Sequence, residues 1–239
     1  LELLFTTGEE HFCVGAKAFD AQRLQSKTAY VMDLSGPVGD CAVAAPTLIT
    51  FSAEVVGKAA HAGFAPEDGV HAIQVAAAAV ANLPSGRWGD VTVNVGTISG
   101  GRATNIVPDR CTVTGEIRAL CHQDALDRLN EIHSEFVEQA QAVDAKLNFN
   151  HTIHITGYRV DTDAPVAQRF KRACEAVGVV PRFTDTYGGS DCNILSAHGI
   201  QGLVVATAMN NCHAVSEYTT VEELCKAARL AQALMEKQD

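Results

Sequence analysis

Thr6-Thr7-Gly8-Glu9-Glu10 sets two adjacent carboxylates directly behind a short apolar run, Leu1 to Phe5. Paired acids at such a break can divide labour: one holds a hard or borderline cation while its neighbour takes a proton from water. The plain alternative is a solvated Glu-Glu pair opening a helix, where acids suit the positive end of the dipole. A third acid, Asp33, stands near the end of the strand-like run Thr28 to Leu34. His213 comes just after the apolar run Gly202 to Ala206, in Asn210-Asn211-Cys212-His213. Alone, a histidine there is more often a loop residue than a ligand. With Glu10 and Asp33 it completes a carboxylate–carboxylate–imidazole set, a mixture that zinc accepts. His61, in Gly57-Lys58-Ala59-Ala60-His61-Ala62-Gly63, sits in a small-residue loop where an imidazole is usually structural or solvent-facing. Asn105 precedes Ile106-Val107-Pro108, and Arg118 ends the strand that follows. Arginine can meet a carboxylate with two parallel bonds, although a surface arginine is the ordinary reading.

These residues need elements to position them. Leu1 to Phe5 is predicted to be a buried strand that delivers Glu9 and Glu10 to its C-terminal edge, where open α/β sheets place ligands. Val14 to Phe19 reads as the start of a helix and Thr28 to Leu34 as a second strand. The opening is therefore expected to be a parallel strand–helix–strand unit with its acids at one edge. After Pro46 the pattern changes. Leu48 to Gly57, Asp90 to Gly96, Arg110 to Arg118 and Lys146 to Ile155 alternate as strands. Val70 to Leu83 and Gln123 to Val143 carry helical spacing. That order, β-α-β-β-α-β, is the layout of a ferredoxin-like sandwich. From Asp163-Ala164-Pro165 onward the α/β pattern resumes, with Gly188-Gly189-Ser190-Asp191 leading into a helix and Val221 to Glu236 closing the chain. The expected organisation is a first α/β part (1–46), an inserted ferredoxin-like α+β domain (47–157) and a second α/β part (158–239).

The totals set outer bounds. A chain of 239 residues with 47% hydrophobic residues can bury a sizeable core. The net charge of -10 and the lack of a Lys/Arg cluster argue against a nucleic-acid partner. No apolar run reaches the roughly 18 residues that span a bilayer. Eight scattered cysteines, none in CxxC spacing, read as free thiols in a reducing compartment, and the expected location is the cytoplasm.

The segments FTTGEEHFCVGAKAFD, YVMDLSGP, GKAAHAG, ATNIVP followed by GEIR, GGSDCNI and NCHAVSEY occur in this order over essentially the whole chain. Together they resemble the di-zinc metallopeptidase and amidohydrolase family that includes tripeptidase T, glutamate carboxypeptidase, aminoacylase and succinyl-diaminopimelate desuccinylase. The likeness is greatest to the peptidase T-like branch. The resemblance implies zinc-dependent hydrolysis of a peptide bond in small peptides, with two zinc ions in the complete enzyme. It implies that Glu9 is the general base, that Glu10 ligates one zinc with Asp33 beside it, and that His213 serves the other. It implies that domain 47–157 is a lid and dimerisation domain inserted into an incomplete zinc-peptidase α/β catalytic domain (1–46 and 158–239), that His61, on the lid, stabilises the oxyanion across a homodimer, and that Asn105 and Arg118 hold the substrate's carboxylate or amide end. Gly188, Gly189 and Ser190 are implied to line the substrate pocket.

Two departures from the family pattern carry expectations. Family members have a His-x-Asp segment, ahead of the Glu-Glu pair, that supplies one ligand and the bridging carboxylate. No such segment occurs here, and His151 and His154 lie in the lid's last strand. The chain is therefore expected to be a C-terminal portion that binds zinc poorly and is nearly inactive alone. Tyr187 stands where tripeptidases have an arginine for the substrate carboxylate, which favours the broader peptidase-like branch. The competing readings are an N-acyl amino acid amidohydrolase of the same family and a non-catalytic dimerisation module.

Overall fold

A computed structural model describes residues 1–236. The chain divides into two compact units, Leu1–Pro46 with Ile155–Asp239, and Thr47–His154.

The first unit contains α1 (Val14–Ala18), β1 (Thr28–Ser35) and β2 (Asp40–Ala45) from its first segment. Its second segment adds β8 (Tyr158–Arg159), α4 (Pro165–Ala176), β9 (Arg182–Asp185), α5 (Asp191–Ala197), β10 (Gln201–Met209) and α6 (Val221–Met235). The sheet runs β1-β10-β2-β8, with β9 also paired to β2. β10 lies parallel to β1 and antiparallel to β2, so the sheet is mixed. β10 and β2 are buried along nearly their whole length, as central strands covered on both faces must be. Leu203, Val205, Cys41, Phe170, Cys174 and Leu230 anchor that core. All eight cysteines are free thiols.

One expectation fails here. Leu1 to Phe5 is not a strand, and Leu1, Leu3 and Phe5 are exposed at 86%, 66% and 89%. A strand exists only through hydrogen bonds to a neighbour, and no described strand pairs with this run. The parallel partner of β1 is β10, so the pairing that brings an acid to a sheet edge joins the start of the chain to its far end.

The second unit contains β3 (Thr47–Val56), α2 (Ala72–Asn82), β4 (Gly86–Trp88), β5 (Val91–Gly100), β6 (Arg110–Ala119), α3 (His122–Gln141) and β7 (Lys146–Ile155, whose last residue falls in the first unit). Its sheet order is β4-β5-β6-β3-β7. Apart from the short added strand β4, that is the ferredoxin-like arrangement expected from periodicity. β3 shows why: Ile49, Phe51, Ala53 and Val55 alternate inward beneath α2 and α3, while Thr50, Ser52 and Glu54 face away. Helix α3 contributes Ala125, Leu129, Ile132, Phe136 and Ala140 from one face to the same core.

Candidate active site

The Glu9-Glu10 segment is a tight turn held by its own backbone. Gly8 carries φ +67°, and Phe12 and Cys13 follow in the left-handed region at φ 59° and 58°. The Cys13 amide donates to Glu9 O at 2.8 Å and the Gly15 amide to Thr7 O at 3.0 Å. A Cβ on Gly15 would lie 2.3 Å from Thr7 O, so only glycine lets α1 fold back this closely on the segment before the acids. Strained backbone of this kind persists where surrounding contacts over-determine it, and it is common at functional sites.

Asp33 lies where the β1–β10 register slips between Val31 and Leu34. Such a bulge re-aims side chains that strict alternation would send to opposite faces. His213 sits beyond β10 in a loop clasped by reciprocal backbone bonds between Asn210 and Tyr218. Its own backbone is left-handed (φ 65°), and its amide donates to Glu217 Oε2 at 3.2 Å. His213 Nδ1 stands 3.7 Å from Glu10 Oε1, both side chains open to solvent.

The electrostatics bind these residues into one group. The pKa of Glu9 is raised, first by burial and then by the charges of Asp33, Glu10 and Asp191. Asp33 is exposed as a residue. Even so, loss of water around its carboxyl is the largest reason its pKa is raised. Glu10 and Asp191 add to the rise, and His213 opposes it. The Cys13 thiol, within 3.8 Å of Glu9 Oε1, is pushed up to about 12 by burial and then by Asp191 and Glu9, so it stays a neutral donor.

Sequence reasoning missed Asp191. An acid in the first turn of a helix already has an ordinary explanation in the helix dipole, and no sequence signal shows that Thr6 lies beside it. In the structure the Thr6 hydroxyl donates to Asp191 Oδ2 through a short hydrogen bond, while Asp191 Oδ1 is buried without a partner among the described residues.

Glu10, Asp33 and His213 are donors of the kinds that a borderline dication takes. Glu9 and Asp33, whose proton affinity is raised by burial and by neighbouring carboxylates, and Asp191 with its orphaned buried oxygen form an environment that a cation would relieve. In donor type and charge the residues fit a metal. Among the described residues, no three His, Cys, Asp or Glu side chains form a group that could hold an ion by themselves.

The other predicted residues fall as follows. Gly188 and Gly189 lead into α5; the Gly188 amide donates to Thr186 Oγ1 at 3.1 Å, and a Cβ on Gly189 would lie 2.3 Å from Ile155 Cδ1. Ser190 is buried and uses its hydroxyl to cap α5, accepting from the Cys192 amide, while Asn193 Oδ1 accepts from the Ser190 amide. In the second unit, His61 and Asn105 are neighbours. His61 bridges Ile106, and the Ala62 amide donates to Asn105 O at 3.0 Å. His61 Nδ1 accepts from the Gly63 and Phe64 amides at 3.1 and 3.2 Å, and its ring stacks on Phe64. An imidazole whose Nδ1 accepts carries its proton on Nε2, which leaves that nitrogen a donor. Arg118, on β6, pairs its guanidinium with Glu116 two residues earlier, at 2.9 and 3.3 Å.

Residues 43–144 match the family model of a peptidase dimerisation domain. The chain is 32% identical over 238 residues to the uncharacterized protein YqjE of Bacillus subtilis, covering 99% of this chain and 64% of that protein. It superposes on the crystal structure of aminopeptidase PepT from Bacillus cereus with a TM-score of 0.92 at 37% identity, over 96% of this chain and 62% of that one. At 18% identity and a TM-score of 0.76 it also shares the fold of a Bacillus subtilis protein described as a dinuclear metal-binding peptidase of the M20 family, over 96% of this chain and 62% of that one. The chain therefore spans less than two thirds of the length of each of these proteins.

Proposed function

We propose that the full-length protein is a zinc-dependent hydrolase of small peptides, because residues 43–144 match the model of a peptidase dimerisation domain and the chain shares the fold of aminopeptidase PepT from Bacillus cereus. The observation that carries this reading is the approach of Glu10 to His213 beside the mutually charged Glu9 and Asp33. Glu10 with Asp33 would supply ligands to one of two zinc ions and His213 to the other, each an incomplete set among the described residues. Bound zinc supplies Lewis acidity, polarising a scissile carbonyl and making water nucleophilic near neutral pH.

The chain's own groups carry the proton and the charge. Glu9 accepts a proton from the attacking water and returns it to the departing amine. A proton affinity above the ordinary carboxylate range suits both halves of that transfer. His61 offers Nε2–H to the developing oxyanion across the homodimer, and Asn105 helps Arg118 hold the substrate's carboxylate or amide end. Arg118 takes the substrate's carboxylate by exchanging its bond with Glu116. The lid pairs two copies of the protein, in keeping with the description of the family that matches it.

The Bacillus cereus relative is an aminopeptidase, an activity that takes peptides with a free amino terminus. Turnover of unblocked di- and tripeptides against their N-acylated counterparts, by the zinc-loaded full-length protein, tests the reading. Preference for the unblocked series supports it, and preference for the acylated series moves the assignment to an amidohydrolase.

A further inference from the structure

We propose that Asp191 is a positioning residue for the Glu9-Glu10 turn: it ties that turn, through Thr6 and Cys13, to a helix start that is itself fixed to the core. The inference rests on the hydrolase reading above for what the turn does, and on the following contacts for Asp191.

The mount is rigid. Ser190 and Asn193 cap α5 reciprocally, and Asn193 Nδ2 donates to Pro46 O at 3.1 Å and to Thr156 O at 2.9 Å. Asp191, the first residue of α5, takes no part in that cap. Its Oδ2 instead accepts from the Thr6 hydroxyl, two residues before Gly8. The buried Cys13 thiol interacts with Asp191 as well as with Glu9, closing a path Thr6–Asp191–Cys13–Glu9 around the turn. Backbone bonds within residues 7–15 give the turn its shape, while Glu10 and His11 are exposed and the run before Thr6 pairs with no described strand. A carboxylate with an orphaned buried oxygen is costly to keep, and holding the two acids in place supplies a reason to keep it. Groups that orient metal ligands from behind typically change metal affinity 10- to 100-fold when removed.

The test uses the full-length protein, with zinc(II) affinity read by competition against a chromophoric chelator. Amide hydrogen exchange over residues 6–15 is read separately on the metal-free protein. Asp191→Ala is expected to weaken zinc at least tenfold. It should also speed exchange at Cys13 and Gly15 at least tenfold, leaving β10 unchanged. Thr6→Val should show a smaller effect in the same direction, and the double variant should be no worse than Asp191→Ala. Asp191→Asn, whose carbonyl still accepts from Thr6, should restore most of both. Zinc affinity and exchange within twofold of wild type in Asp191→Ala would overturn the proposal. So would losses from Thr6→Val and Asp191→Ala that simply multiply, or an Asp191→Asn variant as impaired as alanine. Wild-type protein that binds no zinc would sink the hydrolase reading, and the exchange measurements would still decide the role of Asp191. Should Asp191→Ala fail to fold, Thr6→Val and Asp191→Asn carry the same contrast.

Discussion

Glu10 Oε1 and His213 Nδ1, from opposite ends of the chain, stand 3.7 Å apart beside the β1–β10 pairing. Parallel strands bring their C-terminal ends to the same edge, so Asp33 near the end of β1 and the loop after β10 are neighbours by topology. If Glu10 and His213 serve one site, their losses are not independent. Glu10→Ala and His213→Ala in the full-length protein should each weaken zinc by more than tenfold. The double variant should fall clearly short of the product, as coupled neighbours do. Zinc titration of the four proteins reads this directly.

The acid cluster makes metal-free stability fall as pH rises. Glu9 and Asp33 have raised pKa values in the folded state, from ordinary values of 4.5 and 3.8. Between the ordinary and the raised value the folded chain binds more protons than the unfolded one, so stability declines with increasing pH. Above the raised values the full penalty persists. Glu9→Gln should therefore raise Tm at pH 7 in chelator, by no more than about 2 °C because solvent screens this partly exposed carboxyl. It should also flatten the decline above pH 4.5. Thermal melts from pH 4 to 8 check both.

Asn193 is 1% exposed and satisfies two backbone carbonyls, Pro46 O and Thr156 O, besides accepting from the Ser190 amide. Asn193→Ala leaves the buried Ser190 amide and Pro46 carbonyl, and the carbonyl of the exposed Thr156, without this partner. The cost should be about 2–4 kcal/mol, lowering Tm on the order of 5–10 °C. Differential scanning calorimetry measures it.

His61 should be found as the Nε2–H tautomer, because two backbone amides occupy Nδ1. Imidazole nitrogen shifts in a long-range proton–nitrogen spectrum distinguish the tautomers. In the full-length enzyme His61→Ala should lower kcat on the order of a hundredfold with a smaller change in KM, as removal of an oxyanion donor does.

Much of this fold is legible in the sequence, for physical reasons that differ between elements. β7 announces itself through Leu147 and Phe149 alternating with polar residues, and α3 through one apolar face on a long polar helix. β2 is silent. Cys41, Ala42, Val43, Ala44 and Ala45 are all buried, so nothing alternates, and alanine carries little strand preference. Leu1 to Phe5 errs the other way: its apolar content imitates a buried strand, but content does not supply a pairing partner. In the site, the acids and His213 stand out by type and place. Asp191 does not, because its contact with Thr6 exists only once α5 has docked near α1, and the bulge that turns Asp33 is a property of the β1–β10 register.

The most direct measurement of the central claim is Glu9→Gln in the full-length protein, assayed together for zinc content and for turnover of an unblocked tripeptide. Glu9 is assigned the proton and not the metal, so zinc stoichiometry and affinity should match wild type while kcat falls 100- to 10,000-fold. A Glu9→Gln enzyme that keeps its turnover, or one that loses its zinc, would contradict the account.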